Sequence, residues 1–346
     1  MAAIKEVERA LETKKRNFVI MVSVGIIAIA VCILVSLCIG VTELDIGNVL
    51  KVLFPVFGEE NNGIKTIVLG IRLPRAIISM LTGASLSLAG CMVQILVRNP
   101  LADPYIMGIA SGAAFGAFFI FIMAPSGALF LLPLFAFLGS MLAFILSLTL
   151  AKFAGETPLS VILAGVAIGS GFSSLVTILL FIFQEKTHGL FLWLFGTFTM
   201  SRWSEVWPIL AVASFGIFYS LVRAKQLNIL MLGENYALQL GVNVKKLRRE
   251  LLAISCLLTG VSVSFSGIIG FVGLISPHIS RLLVGTDHRL VIPASLIVGS
   301  LMTTLADLIA RVAIAPAELP VGALISLVGV PFFIYLLVKS RRYYAM

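Results

Sequence analysis

The chain has 346 residues; 60% are Ala, Val, Ile, Leu, Met, Phe, Trp, Tyr or Cys, only 12% are charged, and the formal net charge is +9. A soluble domain carries about 25% charged residues, so there is too little polar surface to cover a water-soluble globule of this size, which excludes a cytosolic enzyme, a disordered chain and a disulfide-rich secreted module. A mean hydropathy of +1.10 and apolar runs of 18 to 25 residues predict membrane-spanning helices, not the alternating strands of a membrane β-barrel.

Residues 1–17 form a polar, basic tail. The apolar run 18–40 is longer than a signal-peptide core and lacks a small-x-small cleavage site, so it predicts a retained first span. Residues 41–73 are polar and read as an external segment. Further spans are predicted near 75–97, 104–124, 128–151, 159–183, 205–222, 251–271, 276–285, 291–313 and 321–338, ten in all. The shorter run 190–200 holds Trp193, with Trp203 and Trp207 just beyond, and reads as an interfacial or re-entrant piece. Residues 223–250 are the most polar internal stretch.

Ten spans place seven of the 25 Lys and Arg outside: Lys51, Lys65, Arg72, Arg75, Lys186, Arg202 and Arg311. The other 18 fall inside, so both termini are expected in the cytoplasm of a cell-membrane protein. The positive charge is then a topology signal and needs no nucleic-acid partner.

Residues 81–90 read LTGASLSLAG and residues 258–267 read LTGVSVSFSG, with six of ten positions identical at an offset of 177. The same offset pairs Pro100 with Pro277, Gly108 with Gly285 and Arg72 with Arg249. One copy falls in span two and the other in span seven, five crossings apart, which predicts an inverted internal repeat (spans 2–5 and 7–10) of the kind transporters use. Gly83, Ser87 and Gly90, and Gly260, Ser264 and Gly267, place small residues on one helix face, where their plainest role is close helix packing.

Chemistry-bearing motifs are sparse. There is no G-x-x-x-x-G-K-[ST] nucleotide loop, no H-E-x-x-H and no C-x-x-C; Cys32, Cys38, Cys91 and Cys256 all lie in apolar runs and read as small buried thiols. His188, His278 and His288 are far apart, so neither a metal site nor a resident cofactor is expected. Ser111 in GIASG and His278 could form an intramembrane Ser–His hydrolase, though G-x-x-S-G is common in small-residue helices. Asp307 and Arg311 are four apart in LADLIARV and read as a structural ion pair, unless Arg311 snorkels past the membrane edge. Arg72 and Arg75, in RLPRA, stand where span two begins, with Pro74 suited to a first helical turn. With Arg311 they make a candidate external docking surface for an acidic partner, since the arginine fork binds carboxylates bidentately. GENYALQLG could form a short helix stopped by Gly241, a plausible contact for a cytoplasmic partner.

Taken together, RLPRAIISMLTGASLSLAG, QILVRNPLADPYIMGIASGA, LAGVAIG, LGENYALQLGV, SGIIGFVGLISPHISRLLVGTDHR and LADLIAR…AELPVGALISLVGVPFFIYLL resemble the FecCD-like permease subunits of type II ABC importers for iron–siderophore, haem or vitamin B12. The resemblance runs from about residue 66 to 340. It implies a single all-α membrane domain (1–346) of ten helices that dimerises with a second copy, docks two ATPase subunits and receives substrate from an external binding protein. It assigns binding-protein docking to Arg72, Arg75 and Arg311, and ATPase coupling to Gly233, Glu234, Ala237, Leu240 and Gly241 within 223–250. It places a cytoplasmic gate at Asn99, Leu101, Thr157, Pro158, Leu159 and Ser160, and has 159–183 and 321–338 line the passage. Pro158 departs from the family pattern. A secondary transporter or channel is the alternative, and it needs an unpaired mid-membrane carboxylate that the sequence does not offer.

Overall fold

The computed structural model describes residues 2–40, 42–54, 61–123, 129–155, 157–184 and 188–344, and among them the chain is helical throughout its regular structure. In chain order the helices are α1 (Ala2–Cys38), α2 (Ile46–Leu53), α3 (Asn62–Lys65), α4 (Leu73–Val97), α5 (Ile109–Met123), α6 (Leu132–Phe153), α7 (Pro158–Ile182), α8 (His188–Leu194), α9 (Trp203–Met231), α10 (Glu234–Gln239), α11 (Val244–Ser266), α12 (Val272–Val284), α13 (His288–Val312) and α14 (Val321–Tyr344). A π-helical stretch, Thr66–Arg72, joins α3 to α4, so that Asn62–Val97 is one 36-residue helix. Seven helices are long and apolar enough to cross a bilayer, and α5, α12 and α14 contribute shorter apolar segments, which matches the ten predicted spans.

Several boundaries differ from expectation: α9 runs on to Met231 and α11 begins at Val244, and two further shifts lie at the start of the chain and of the second span. The polar residues 1–17 are helical from Ala2 and continuous with the first span. The second span begins at Asn62, whose preceding Asn61 caps the helix by accepting the Gly63 N–H at 3.0 Å. Pro74 therefore sits inside a continuous helix and not at its start. Proline has no N–H for the carbonyl four residues back, and the π-helical register just before it, with the Leu73 N–H bonded to the Val68 carbonyl, absorbs the mismatch.

Small residues set the packing. A Cβ on Gly83 would lie 2.1 Å from the Gly299 carbonyl oxygen, and one on Gly90 1.9 Å from the Gly273 oxygen. The register of α4 on α13 is antiparallel: Thr303 Oγ1 donates to the Ser79 carbonyl (2.7 Å), Ser300 Oγ to that of Met80 (3.0 Å), and Arg75 reaches Asp307. Gly112 and Gly116 on α5 close in the same way on Gly139 and the Phe135 backbone of α6. The hydroxyls of Thr303 and Ser300 bond backbone carbonyls across the α4–α13 contact, while those of Thr82, Ser85 and Ser87 on α4 are buried without a partner among the described residues.

The two LTG segments lie on antiparallel helices. At one end of the bundle Arg98, just after α4, and Arg248, near the start of α11, both bond Glu234. At the other end Arg75, at the start of α4, bonds Glu318, which accepts from Thr199; Thr197 in turn donates its N–H to the carbonyl of Ser266, the last residue of α11. The start of α1 and the end of α14 lie on the α10 side.

Candidate functional site

Three side-chain groupings stand apart from the apolar packing. The first is a charged cluster at the end of the bundle away from α10. Arg75 Nη2 is 2.8 Å from Asp307 Oδ1 and 2.8 Å from Glu318 Oε2, and its Nη1 donates to Glu318 Oε1 at 2.9 Å. Asp307, expected to pair with its helical neighbour Arg311, therefore takes Arg75 as its main partner. Arg311 Nε lies at 3.4 Å from Asp307 without a hydrogen bond, while its other nitrogens donate to the Ser36 carbonyl (3.2 Å) and hydroxyl. Arg72 donates to the carbonyls of Leu37 (2.6 Å), Cys38 (2.9 Å) and Thr42. The Leu37 and Cys38 carbonyls belong to the last turn of α1, where orphan acceptors need donors, and Thr42 lies just beyond it.

Relative exposures are 6% for Arg72, 7% for Arg75 and 5% for Arg311. The expected rim of free positive charge is thus a buried internal network, and Arg311 does not snorkel outward. The physical reason is that Asp307 is fully buried and must be paired, while the end of α1 supplies more acceptors than its own helix can satisfy. Glu318, which the sequence reading did not single out, completes the cluster. Burial raises its carboxyl, but the hydrogen bonds and charge of Arg75 outweigh that and hold it below the ordinary carboxylate value.

The second grouping is the turn after α4. Arg98 takes a left-handed conformation (φ 52°) and the Asn99 N–H reaches back to the Gln94 carbonyl at 3.1 Å, the 6→1 bond of a Schellman cap. Asn99 Oδ1 then accepts the Leu101 N–H (2.9 Å), and Asp103 accepts that of Tyr105 (2.8 Å). Burial pushes the Asp103 carboxyl up to about 6, against the lowering effect of that Tyr105 bond. The chain beyond the turn packs on α7, where a Cβ on Gly165 would lie 2.2 Å from the Ile106 carbonyl oxygen. On α7 itself Thr157 is the N-cap: its hydroxyl accepts the Ser160 N–H at 3.1 Å, and Ser160 Oγ donates to the Thr157 carbonyl at 2.8 Å. Pro158 occupies the first helical position, where its missing N–H costs nothing, so the departure from the family pattern has a local cause. Leu159 is exposed and Ser160 buried. The predicted gate residues are thereby brought to adjoining structures, the α4 turn and the head of α7.

The third is α10. Gly233 (φ 123°) precedes it and Gly241 (φ 77°) ends it, conformations that a side chain would strain. Ala237 is buried against the bundle, whereas Tyr236, Leu238 and Leu240 are 63%, 60% and 62% exposed. Glu234 Oε1 accepts from Arg98 (2.7 Å) and Arg248 (2.5 Å). The short helix and its C-cap thus present three exposed apolar side chains beside Arg98 and Arg248.

The hydrolase alternative finds no geometry. Ser111 Oγ donates to the Gly108 carbonyl at 3.0 Å, and His278 meets the Phe332 ring edge-on. Among the described residues no three His, Cys, Asp or Glu side chains are placed to hold a metal ion.

Comparison with known proteins agrees over nearly the whole chain. The model of the FecCD transport family matches residues 28–339. The chain is 36% identical to the iron(3+)-hydroxamate import system permease protein FhuG of Bacillus subtilis, over 96% of this chain and 100% of that one. It is 37% identical to the hemin transport system permease protein HmuU of Yersinia pestis, over 82% and 86%. A solved structure described as an inward-facing conformation of a metal-chelate type ABC transporter superposes with a TM-score of 0.80 at 31% identity, covering 92% of this chain and 98% of that one. On these matches the chain belongs to the FecCD transport family.

Proposed function

We propose that this chain is the membrane-spanning permease subunit of an ATP-driven importer that carries a metal chelate, with iron–siderophore first and haem or cobalamin next. The observation that carries it is α10: an exposed apolar helix on the basic end of the bundle of a FecCD-family chain. The chain does no covalent chemistry and has no resident cofactor of its own. ATP is hydrolysed by two separate ATPase subunits on the cytoplasmic side, where both termini lie.

Two copies of the chain enclose the passage along their two-fold axis. Support comes from α7, which leaves most of its length exposed in the protomer, including Ser170, Gly171, Ser174 and Thr177. α14 exposes Ala323, Leu327, Val328 and Val330 in the same way. Small and apolar groups without fixed charge suit a bulky chelate that must not be held tightly, with affinity left to an external binding protein.

The coupling path starts at α10. Closure of the ATPases moves it, and Glu234 ties that movement to Arg98 at the gate turn and to Arg248 at the head of α11. Energy for the switch comes from states of the partner, since a chain without a nucleotide loop has no differential affinity to supply it. At the opposite end the binding protein docks near Arg72, Arg75 and Arg311, and each of these must exchange bonds it already makes for bonds to the partner's carboxylates. Leu240→Asp tests the proposal: it should abolish co-purification of the ATPase while the permease is still produced. Normal recovery of the complex would remove α10 from the coupling role.

A further inference from the structure

A cavity of about 1000 Å³ opens on the α10 side of the bundle, bounded by the ends of α4, α9 and α12 and the start of α13. Arg281 lines it. Its Nη2 donates to Gln94 Oε1, a neutral amide, and no carboxylate among the described residues pairs with it. Gln94 is itself fixed by donating Nε2 to the Gly273 carbonyl at 3.2 Å, which turns its oxygen toward the guanidinium. The nearest acid in the lining, Asp287, is committed elsewhere: it accepts Asn228 Nδ2 at 2.7 Å and the Arg289 N–H at 3.0 Å, capping α13. Arg289 stands exposed at the same cavity and adds a second cation.

A partly buried guanidinium held by an amide is an unneutralised charge, which low-dielectric surroundings penalise. An anion in the cavity removes that penalty, and a phosphate oxygen pair matches the planar fork. The exposed Leu282 and Leu283 flank Arg281 on α12 and mark the neighbouring surface as lipid-facing. We propose that this cavity binds the phosphate of an anionic phospholipid from the leaflet on the α10 side, with Arg281 as the principal contact and Arg289 at the mouth. Pro100 of the gate turn and Leu232, just before α10, share the same lining, so the bound headgroup touches both ends of the coupling path.

The test uses the full chain, purified and delipidated in a neutral detergent, with thermal unfolding as the readout. Phosphatidylglycerol should raise Tm by about 2 °C or more, phosphatidylcholine by much less, and Arg281→Gln should lose the phosphatidylglycerol effect while leaving the lipid-free Tm unchanged or higher. Arg281→Lys, which keeps the charge without the fork, should show a reduced shift and serves if the glutamine variant does not fold. If inorganic phosphate gives the full shift, the site takes a soluble phosphate and the lipid assignment falls. An equal phosphatidylglycerol shift in wild type and variants, or a lowered lipid-free Tm with the shift intact, would make Arg281 a structural residue and overturn the proposal.

Discussion

Arg75 shows how a buried charge is resolved when the alternative solvent is hydrocarbon. Its fork joins Asp307 on α13 to Glu318 in the α13–α14 connection, closing α4 against two later elements. Removing one partner of such a cluster strands the others, so Arg75→Ala should cost about 3–5 kcal/mol, read as a fall in Tm of the purified chain. Glu318 makes a gentler probe. Its carboxyl lies below the usual value in the folded state, so its contribution is present above the ordinary pKa of 4.5 and is lost as pH falls through the lowered value. Wild type should therefore lose stability faster than Glu318→Gln on acidification below that range; parallel curves would show that the pair contributes nothing. The same variant separates the two roles of Arg75. Freed of Glu318, half its fork becomes available, and if Arg75 also meets the binding protein, docking should be strengthened, whereas a purely internal role predicts weaker stability with docking unchanged. None of this pairing was visible in sequence spacing. Asp307 and Arg311 announce themselves at i, i+4, but the stronger partner comes from a helix more than two hundred positions earlier, and only the rule that a buried acid must be paired hints that one exists.

At the scale of elements the spans were legible because hydrocarbon thickness fixes their length, and α10 because two glycines bracket a short apolar pattern. The start of span two was not: eleven polar or mixed residues, 62–72, extend the helix because Asn61 caps it and a π-helical register accommodates Pro74. The turn after α4 and the head of α7 are legible in Asn99-Pro100 and Thr157-Pro158, while the packing of Ile106 on Gly165 of α7 needed the fold. The element with the sharpest consequence is α10, joined to the end of α4 and the start of α11 by one carboxylate. Glu234→Gln removes the charge shared by Arg98 and Arg248 but leaves the apolar docking face. ATPase co-purification should persist while substrate uptake per ATP hydrolysed falls severalfold. An unchanged ratio would show that movement passes to the gate by packing alone.

Across the whole molecule, the start of α1 and the end of α14 lie on the α10 side, and the two LTG segments lie on antiparallel helices, the direction an inverted architecture requires. α7 leaves most of its surface exposed, as α1 does, and α14 leaves part of its own; the family resemblance assigns α7 and α14 to the passage. The sequence holds no nucleotide loop, and the carboxylate of Asp307 in α13 is held by Arg75. The most direct measurement is uptake of a radiolabelled ferric siderophore into proteoliposomes holding this chain with its ATPase and binding protein. Uptake should require ATP, stop with Leu240→Asp and be indifferent to proton and sodium gradients; accumulation driven by a gradient without ATP would contradict the account.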